Sequence, residues 1–334
     1  MMKAKIVSTV PRSRFELFKV EIPDQWEVDF VDYPLPEEAL IEALRDADFL
    51  LVGSVHHVSS AVIHAAPSLK MIHTEGVGFD KVDVEAARAV GLPVCNNRAV
   101  NNVSVAEHTI GLILAALKRM VYSDREIKRG DFTAVQTQLR TEGIHELRHQ
   151  HVGLVGCGAI GQEVARMLGV FGCKVSYFDT YRPSPERERA LNISYLELDD
   201  LLAQCDIVSL HVPVLPDTVN IINARALGLM KDHAILVNTS RGELIDQPAA
   251  ASALESGRLG ALAIDTLAPE PPAKDHPFLT LTPDAADRLI ITPHVAGTTA
   301  EAFTRMLQWV IADFQEVLAG RLPDRVCNGV TELR

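Results

Sequence analysis

Basic residues are scarce relative to acidic ones in this chain, and the balance limits the partners it can have. The 334 residues include 32 lysines and arginines but 44 aspartates and glutamates, which gives a formal net charge of −12. The lysines and arginines form no stripe that could follow a phosphate backbone. We therefore expect no nucleic acid among the partners of this protein.

Long apolar runs are also missing. No stretch reaches the roughly 18–20 apolar residues that a membrane-spanning helix requires. The opening "MMKAKIVSTVPRSRFELF" contains a short apolar run that Pro11 and charged residues soon interrupt. This pattern predicts a first β-strand rather than a signal peptide, and no membrane partner.

Cysteine is rare and follows no metal-binding or redox pattern. The cysteines are odd in number and contain no C-x-x-C pair. They are Cys95, Cys157, Cys173, Cys205 and Cys327. Thiols in such strand-like and helix-edge contexts are typical of small buried side chains in a reducing compartment. The sequence therefore predicts a cytoplasmic protein.

The chain does have a regular alternation of strand and helix patterns. With 47% hydrophobic and 23% charged residues and no low-complexity tract, its length suits two globular domains. The strand candidates are "KIVSTV", "ADFLLVG", "LKMIHTE", "GLPVCNN", "HVGLVG", "KVSYFD", "DIVSLHV", "AILVNTS", "LGALAID" and "LIITPH". Helical patterns such as "LPEEALIEALRDA" and "DKVDVEAARAVG" stand between them. This alternation predicts an α/β fold with two parallel sheets.

Longer segments divide the two sheet-forming regions. Asn102–Gly130 predicts one long helix with Ser104 as its N-terminal cap, and residues 131–150 predict an irregular polar connection. Residues 297–320 predict a final long helix. The simplest arrangement is an N-terminal domain, a complete second domain, and a last helix that returns to the first. A ligand-binding cleft is then expected between the two domains.

The most specific single motif is a glycine-rich loop. The strand "HVGLV" runs into glycines with the spacing G-x-G-x-x-G, namely Gly156, Gly158 and Gly161. Such a loop lets backbone amides approach a pyrophosphate and points a helix N-terminus at it. An amphipathic helical pattern and a second strand follow, in the order that a dinucleotide-binding unit requires. We therefore predict a dinucleotide site at this loop.

The residue that ends the second strand indicates which dinucleotide binds. Asp179 lies 18 residues after Gly161. An acid at about this distance accepts hydrogen bonds from the adenosine ribose hydroxyls and repels a 2′-phosphate. The sequence therefore predicts NAD rather than NADP, although Arg182 lies close enough to leave NADP open.

Two histidine patterns could suggest a metal site. Residues 145–149 read "HELRH", a literal match to the H-E-x-x-H zinc pattern. That site needs both histidines on a stable helix and a third ligand, but a strand follows almost at once and Val155 stands where the third histidine is expected. The adjacent His56 and His57 would point to opposite faces of a strand. We predict no metal site.

Three polar residues follow successive late strands. They are Arg241 in "VNTSRGELID", Glu270 in "AIDTLAPEPP" and His294 in "ITPHVAG". Ligands gather at the carboxyl ends of the strands in open parallel sheets. An arginine can bind a carboxylate at two points, and a histidine oriented by a glutamate can exchange a proton near neutral pH. Each residue alone has an ordinary explanation as a surface charge or loop residue, but together they predict a catalytic site.

At this point the sequence resembles the D-isomer-specific 2-hydroxyacid dehydrogenases over nearly its whole length. The motifs that carry the resemblance, in order, are "TEGVGFDKVDVEAA", "NVSVAEHTIGLIL", "VGLVGCGAIGQEVAR", "LHVPVLPDT", "LVNTSRGELID", "ALAIDTLAPEPP" and "TPHVAGTT". The resemblance implies two Rossmann-like or flavodoxin-like doubly wound domains. A discontinuous substrate domain would comprise residues 1–101 plus 298–334, and an NAD-binding Rossmann domain residues 102–297. The glycine loop would then lie far from the N-terminus because the first part of the substrate domain precedes it in the sequence.

The resemblance also implies an activity. It is that of an NAD-dependent oxidoreductase that interconverts a small 2-keto acid and the D-2-hydroxy acid by hydride transfer. Arg241 resembles the residue that holds the substrate carboxylate and carbonyl oxygen, His294 resembles the acid–base, and Glu270 resembles its partner. The backbone amides of Val77 and Gly78 resemble a second carboxylate anchor.

Further positions match cofactor contacts of the family. Asp265 resembles the residue that contacts the nicotinamide carboxamide. The other matching positions, including the glycine loop, are Thr109, Gly156, Gly158, Ala159, Ile160, Gly161, Asp179, Val212, Pro213, Thr239, His294 and Gly297. The resemblance further implies a homodimer, formed through the apolar helix from Val103 to Val121 and the arm after it.

The resemblance leaves the substrate open. Glu75 precedes the predicted carboxylate-binding turn and should disfavour a large polyanionic substrate unless it is paired elsewhere. His56 and His57 lie in the loop "VGSVHHVSS", where they either shape specificity or are simply partly exposed. A small acid such as glyoxylate or hydroxypyruvate is the leading expectation. D-3-phosphoglycerate comes second, because no extra phosphate clamp is evident.

Two other functions stay open on the sequence alone. Relatives of this fold act as NAD-sensing co-repressors, a role that predicts disordered extensions or the loss of a catalytic residue, and the sequence shows neither. A different Rossmann enzyme, such as one acting on amino acids, is the other alternative.

Overall fold

The computed structural model describes residues 3–53 and 56–334, and the chain divides into two units. The first is discontinuous and consists of Met1–Val100 with Thr298–Arg334. The second is the continuous segment Asn101–Gly297. Residues 54 and 55 of the loop "VGSVHHVSS" lie outside the described residues.

The first unit is built on a five-stranded sheet. Its N-terminal segment contains β1 (Ala4–Ser8), α1 (Arg12–Leu17), β2 (Trp26–Phe30), α2 (Glu37–Ala43), β3 (Phe49–Val52), α3 (Ser60–Ala65), β4 (Met71–Thr74), α4 (Val84–Ala89) and β5 (Val94–Cys95). The strands are parallel and lie in the order β2-β1-β3-β4-β5. This is a flavodoxin-like doubly wound order, so ligands are expected outside the carboxyl ends of the strands.

The second unit is built on a seven-stranded sheet. Its elements are α5 (Asn102–Leu117), α6 (Met120–Lys128), α7 (Phe132–Glu142), β6 (His151–Val155), α8 (Ala159–Phe171), β7 (Lys174–Phe178), α9 (Pro185–Leu191), β8 (Ile193–Tyr195), α10 (Leu198–Gln204), β9 (Ile207–Leu210), α11 (Ala224–Leu229), β10 (Ala234–Asn238), α12 (Gln247–Glu255), β11 (Leu259–Ile264), α13 (Pro283–Ala286) and β12 (Leu289–Ile291). The parallel strands lie in the order β12-β11-β10-β9-β6-β7-β8. The order reverses between β6 and β9, which is where a doubly wound sheet binds its ligand.

The last helix, α14 (Ala300–Leu318), completes the first unit. The Phe314 ring on α14 stacks on the Phe49 ring of β3, with centroids 4.4 Å apart and planes 21° apart. The segment after α14 covers the open edge of β5. Cys327 N–H donates to Val94 O (2.8 Å). The Asn328 side chain accepts from Val94 N through Oδ1 (3.1 Å) and donates to Leu92 O through Nδ2 (2.9 Å). An otherwise open strand edge is thereby covered by hydrogen bonds within the same chain.

A hydrogen-bonded cluster around the buried Asp313 carboxylate joins three segments of this unit. The Asp313 carboxylate on α14 is 2.9 Å from Nε2 of His73 on β4 and accepts two hydrogen bonds from Arg325. His73 and Asp313 are both buried. Burial alone would raise the pKa of Asp313, but the hydrogen bonds from His73 and Arg325 outweigh it and hold that pKa below its usual value.

The predicted α/β fold with two parallel sheets is confirmed, but the prediction of one helix over Asn102–Gly130 is wrong. α5 ends at Leu117 and α6 begins at Met120, because Arg119 adopts the left-handed conformation with φ +50°. Ser104 is buried inside α5 and does not cap it; the capping position belongs to Asn101. The apolar pattern continues across the break, so periodicity alone could not locate it.

The irregular connection predicted for residues 131–150 is also wrong in part. It contains α7, which buries Val135 alone of its residues and therefore shows little apolar periodicity. The Tyr122 hydroxyl of α6 donates to Oε1 of Gln138 on α7 (2.5 Å), so polar contacts help to hold this helix. Short elements such as β2, β8, α1 and α3 were not predicted either, because each is too brief to establish a period.

Candidate active site

The glycine loop lies at the end of β6, at the reversal of the sheet order. Gly156 has φ +103°, and a Cβ there would lie 2.6 Å from the His211 backbone. A Cβ on Gly161 would overlap the Gly156 carbonyl oxygen, whereas one on Gly158 would meet nothing within 4 Å. The loop therefore packs tightly on one side and is open at Gly158, where α8 begins with its unpaired N–H groups. These residues fit a dinucleotide pyrophosphate.

Asp179 is fixed beside this loop after β7. Its Oδ2 accepts a hydrogen bond from Cys157 N (2.6 Å) and its Oδ1 accepts one from Tyr181 N (2.9 Å). Arg182 donates to Oε1 of Glu188 (3.0 Å) and is therefore already engaged. An anchored carboxylate and a paired arginine both favour a ribose hydroxyl over a 2′-phosphate at this position.

Other predicted cofactor residues line the same carboxyl edge of the sheet. Val212 and Pro213 follow β9 and Thr239 follows β10. The hydroxyl oxygens of Thr109, on α5, and Thr239 are 2.9 Å apart, and both side chains are buried. His211 directly precedes Val212, and burial of its imidazole lowers its pKa to about 4. The imidazole therefore stays neutral at physiological pH.

His294 and Glu270 are in direct contact. Nδ1 of His294 is 2.7 Å from Oε2 of Glu270, and Oε1 of Glu270 accepts a hydrogen bond from Leu267 N (2.8 Å). Because a carboxylate can only accept, His294 donates through Nδ1 and its Nε2 is left for another partner. The two side chains are 44% and 37% exposed, so a small molecule can reach the pair.

Asp265 holds the backbone that carries His294. Its carbonyl accepts from His294 N (2.8 Å), and its buried carboxylate accepts from Val295 N (3.0 Å), Ala296 N (2.8 Å) and the Thr292 hydroxyl (2.5 Å). His294 has φ +54°, a left-handed conformation that a residue with a side chain keeps only when its surroundings enforce it. Sequence reasoning missed this supporting role, because the spacing of Asp265 from its partners carries no recognisable motif.

Arg241 follows β10 on the same edge. Its side chain is exposed, and Nη1 donates to Ser240 O (2.8 Å). A Cβ on the next residue, Gly242, would overlap the Leu267 backbone, so only glycine lets this loop pack against the segment that leads to Glu270. β10, β11 and β12 are neighbours in the sheet, which brings Arg241, Glu270 and His294 to one edge. Within the described chain no hydrogen bond joins Arg241 to the other two.

Gly297 lies at the end of the second unit. A Cβ on Gly297 would overlap Nδ2 of Asn101, so a side chain here would displace that amide. Its predicted cofactor contact stays a prediction, as do those of the other positions.

The predicted carboxylate anchor lies in the first unit, after β4. Val77 and Gly78 are half-buried, and their amide N–H groups donate no hydrogen bond to any described residue. Glu75, just before them, is buried, and Oε1 is 3.1 Å from Nη1 of Arg14. Burial raises the pKa of Glu75, and the Arg14 charge partly opposes this rise. The acid beside the turn is therefore paired.

The histidine patterns have ordinary surroundings. The His56 ring stacks on the Tyr33 ring with centroids 3.7 Å apart, Nδ1 is 2.6 Å from the Thr9 hydroxyl, and burial lowers the pKa of His56. His57 is exposed. In "HELRH" only a short 3-10 turn forms, and the exposed His149 contacts Glu146. The described residues contain no cluster of three or more His, Cys, Asp or Glu side chains arranged to hold a metal.

All five cysteines are free thiols. Cys157, inside the glycine loop, is buried, and burial raises its pKa to about 12. In the part of the chain that the structure describes, no helix combines the length and the apolar character needed to cross a membrane.

Comparison with known proteins identifies the family. Residues 110–296 match the family described as D-isomer specific 2-hydroxyacid dehydrogenase, NAD binding domain. The chain is 34% identical over 326 residues to a glyoxylate reductase of Thermofilum pendens, covering 98% of this chain and 94% of that protein. It is 38% identical over 295 residues to a D-3-phosphoglycerate dehydrogenase of Methanocaldococcus jannaschii, covering 88% of this chain. The match spans only 54%, about half, of that longer relative.

A solved structure agrees with this assignment. The D-lactate dehydrogenase with NAD+ from Lactobacillus jensenii is 27% identical, with a TM-score of 0.82 over 97% of this chain and 99% of that one. The predictions of the family, of NAD as the cofactor and of the enzyme class are confirmed. The chain belongs to the D-isomer specific 2-hydroxyacid dehydrogenase family and is an NAD-dependent oxidoreductase.

Proposed function

We propose that this enzyme reduces a small 2-keto acid with an uncharged side chain to the D-2-hydroxy acid, and catalyses the reverse oxidation. The observation that carries the proposal is the hydrogen bond between His294 Nδ1 and Glu270 Oε2 (2.7 Å), on an exposed edge next to Arg241. That pair can supply and remove one proton, which is what reduction of a carbonyl requires besides a hydride.

Each side chain then has a defined task. Glu270 orients the imidazole through Nδ1, and Nε2 of His294 gives its proton to the substrate's carbonyl oxygen. In the reverse direction Nε2 takes the proton from the alcohol. The Arg241 guanidinium binds the substrate carboxylate and stabilises negative charge developing on the carbonyl oxygen.

NAD would be held by the second unit. Gly158 and the first N–H groups of α8 would receive the pyrophosphate, and Asp179 the adenosine ribose. When bound, the nicotinamide supplies or accepts the hydride. We propose strict preference for NAD, because Asp179 is anchored and Arg182 is paired with Glu188.

The first unit is proposed as the substrate domain. The amide N–H groups of Val77 and Gly78 would bind the substrate carboxylate. Arg14 is already paired with Glu75, so it adds little free positive charge for a second anionic group on the substrate. We therefore favour a monoanionic acid such as glyoxylate or hydroxypyruvate.

D-3-phosphoglycerate is the second candidate substrate. It is favoured by one observation, the 38–39% identity to D-3-phosphoglycerate dehydrogenases, which exceeds the 34% identity to the glyoxylate reductase. The Glu75–Arg14 pair argues against it, because a phosphate needs unpaired cations. We also propose a cytoplasmic homodimer, formed through α5 and the α6–α7 arm.

A substrate panel tests the proposal. Purified protein would be mixed with NADH and, separately, glyoxylate, hydroxypyruvate, pyruvate, a branched 2-keto acid, an aromatic 2-keto acid and phosphohydroxypyruvate, and the loss of NADH absorbance followed. We expect turnover of one or both of the first two acids. Turnover of phosphohydroxypyruvate alone would select the second candidate. Silence across the panel with intact NADH binding would contradict the proposal and favour a co-repressor role.

Variants of Arg241 and His294 test the catalytic roles proposed for them. We expect Arg241→Ala and His294→Gln each to lower kcat/KM by at least about 100-fold, equivalent to about 2.7 kcal/mol of transition-state stabilisation, because each removes a group that meets the developing charge. NADH binding should be retained in both. Arg225→Ala and His149→Gln, which alter exposed residues of the same types, are the matched controls. Full activity in the first two variants would refute the assignment.

A further inference from the structure

The turn after β4 is held through its carbonyl groups, one of which, Gly76 O, also accepts from the Thr74 hydroxyl (3.2 Å). The carbonyl oxygens of three successive residues accept hydrogen bonds from the dipeptide that follows β5. Glu75 O accepts from Asn97 Nδ2 (2.6 Å), Gly76 O accepts from Asn97 N (2.9 Å), and Val77 O accepts from Asn96 Nδ2 (2.6 Å). All three carbonyl groups therefore point towards Asn96 and Asn97.

The direction of the carbonyl groups fixes the direction of the amides. In a trans peptide the C=O of one residue and the N–H of the next point in opposite directions within one plane. The N–H groups of Gly76, Val77 and Gly78 must then point away from Asn96 and Asn97. None of these three N–H groups donates a hydrogen bond to a described residue. Three consecutive donors are thus available on the side of the turn away from that dipeptide.

Asn97 is costly to keep for stability alone. Its side chain is fully buried, and Nδ2 also donates to Met306 O on α14 (3.2 Å), but Oδ1 has no hydrogen-bond partner among the described residues. A buried acceptor without a partner is unfavourable and calls for an explanation. Asn96 is also buried, and its Nδ2 donates to Val77 O.

We propose that Asn96 and Asn97 are positioning residues for substrate binding. They hold the turn so that Gly76 joins Val77 and Gly78 in presenting amide N–H groups to the carboxylate of the 2-keto acid. The inference rests on the proposed function. It adds the Gly76 amide as a third hydrogen-bond donor and assigns to Asn96 and Asn97 the orientation of all three amides.

The test separates positioning from stability. The variants are Asn96→Ala and Asn97→Ala in the full-length enzyme, since alanine adds no bulk to a buried site. The matched control is Asn328→Ala, which removes two hydrogen bonds from a buried asparagine at the β5 edge of the same unit. The readouts are KM and kcat for the preferred 2-keto acid, the inhibition constant of oxamate as a monocarboxylate probe, the Kd of NADH, and the melting temperature.

We expect both test variants to raise KM and the oxamate inhibition constant at least about tenfold and to change kcat less than about threefold. The reason is that the lost contact binds the carboxylate equally in the bound substrate and in the transition state. The Kd of NADH should not change. Asn328→Ala should lower the melting temperature and leave KM unchanged. If Asn97→Ala does not fold, Asn97→Ser, which keeps a hydroxyl donor, is expected to fold with a smaller rise in KM.

Two results would overturn the inference. One is an unchanged KM in folded Asn96→Ala and in folded Asn97→Ala or Asn97→Ser. The other is an equal rise in KM in Asn328→Ala, which would show that general loosening of the unit is the cause. Failure of the proposed function is distinguishable from both, because the unaltered enzyme would then turn over no 2-keto acid.

Discussion

At the residue scale, Asp179 shapes the glycine loop and is proposed to select the dinucleotide. Its carboxylate accepts hydrogen bonds from the glycine loop at Cys157 N and from Tyr181 N. A carboxylate oxygen can accept more than one hydrogen bond, so these contacts leave capacity for a ribose hydroxyl. We propose that the negative charge, which a 2′-phosphate would meet directly, discriminates between NAD and NADP.

Asp179→Asn removes that charge and nearly preserves the shape. We expect the ratio of kcat/KM with NADPH to kcat/KM with NADH to rise at least about tenfold, equivalent to about 1.4 kcal/mol, because repulsion of the 2′-phosphate is lost. The measurement is the initial rate of keto-acid reduction with each nucleotide. Asp199→Asn, which alters an exposed aspartate paired with Arg225, is the control. An unchanged ratio in Asp179→Asn would rule out the charge as the selector.

Residues with short-range motifs could be predicted from the sequence, and residues with distant partners could not. Gly156, Gly158 and Gly161 have a spacing that, with a strand before it and a helix after it, is typical of a tight nucleotide-binding loop, and the structure places them between β6 and α8. Asp265 binds amides 30 and 31 positions away, and Asn97 donates to Met306 O across 209 positions. No local pattern records such contacts, so these roles emerge only from the folded chain.

At the scale of elements, the hydrogen-bonded cluster of His73, Asp313 and Arg325 joins β4, α14 and the segment after it. Removing one member of a buried ionic cluster leaves the others without compensation, which is strongly unfavourable. One member of the cluster, His73, lies only a few residues before the turn that carries Val77 and Gly78. The stability of α14 on the sheet and the placement of the turn therefore share one anchor.

Asp313→Asn tests this anchor. We expect a loss of about 3 kcal/mol in the free energy of unfolding of the first unit at pH 7, seen as a lower urea midpoint. Because the pKa of Asp313 is lowered in the folded protein, its contribution is complete above the unfolded value of about 4. It is lost as the pH falls towards the folded value, so the two proteins should converge in acid.

The exposed Asp199→Asn serves as the comparison for this measurement as well, and it should change the midpoint little at either pH. A difference between wild type and Asp313→Asn that stays constant from pH 7 to pH 3 would contradict the assignment of a lowered pKa.

Element prediction failed where the local signal was absent. The strands of both sheets show apolar runs and were largely found, because a buried parallel strand needs such a run. The break between α5 and α6 occurs at Arg119, and arginine gives no warning of a left-handed conformation as glycine would. α7 lacks an apolar stripe because it buries only Val135.

At the scale of the whole molecule, the α6–α7 arm exposes several large apolar side chains. The large apolar side chains exposed on the two helices and just after α7 are Met120, Val121, Ile127, Phe132 and Ile144, each between 44% and 56% exposed. Several exposed apolar side chains on one arm favour an interface between proteins. It supports the proposal that two copies of the chain associate through this arm.

The combined variant Val121→Asp and Phe132→Asp should dissociate the proposed dimer, because two charges would be buried without partners in the interface. Light scattering at micromolar concentration is expected to give twice the chain mass for the wild type and the chain mass for the variant. Val170→Asp alters another valine of the second unit, 82% exposed on α8, and should stay dimeric. A wild-type protein that scatters light with the mass of a single chain would contradict the proposed dimer.

The discontinuous first unit has a consequence for the order of events during synthesis. His73 and Asp313 are 240 positions apart, and the Phe49–Phe314 stack spans a similar distance. The second unit uses only residues 101–297, so every partner in its sheet has been made before α14 leaves the ribosome. Until then the face of the first sheet that holds Phe49 lacks the part of its cover that α14 provides. The half of the enzyme that starts first is therefore the half that finishes folding last.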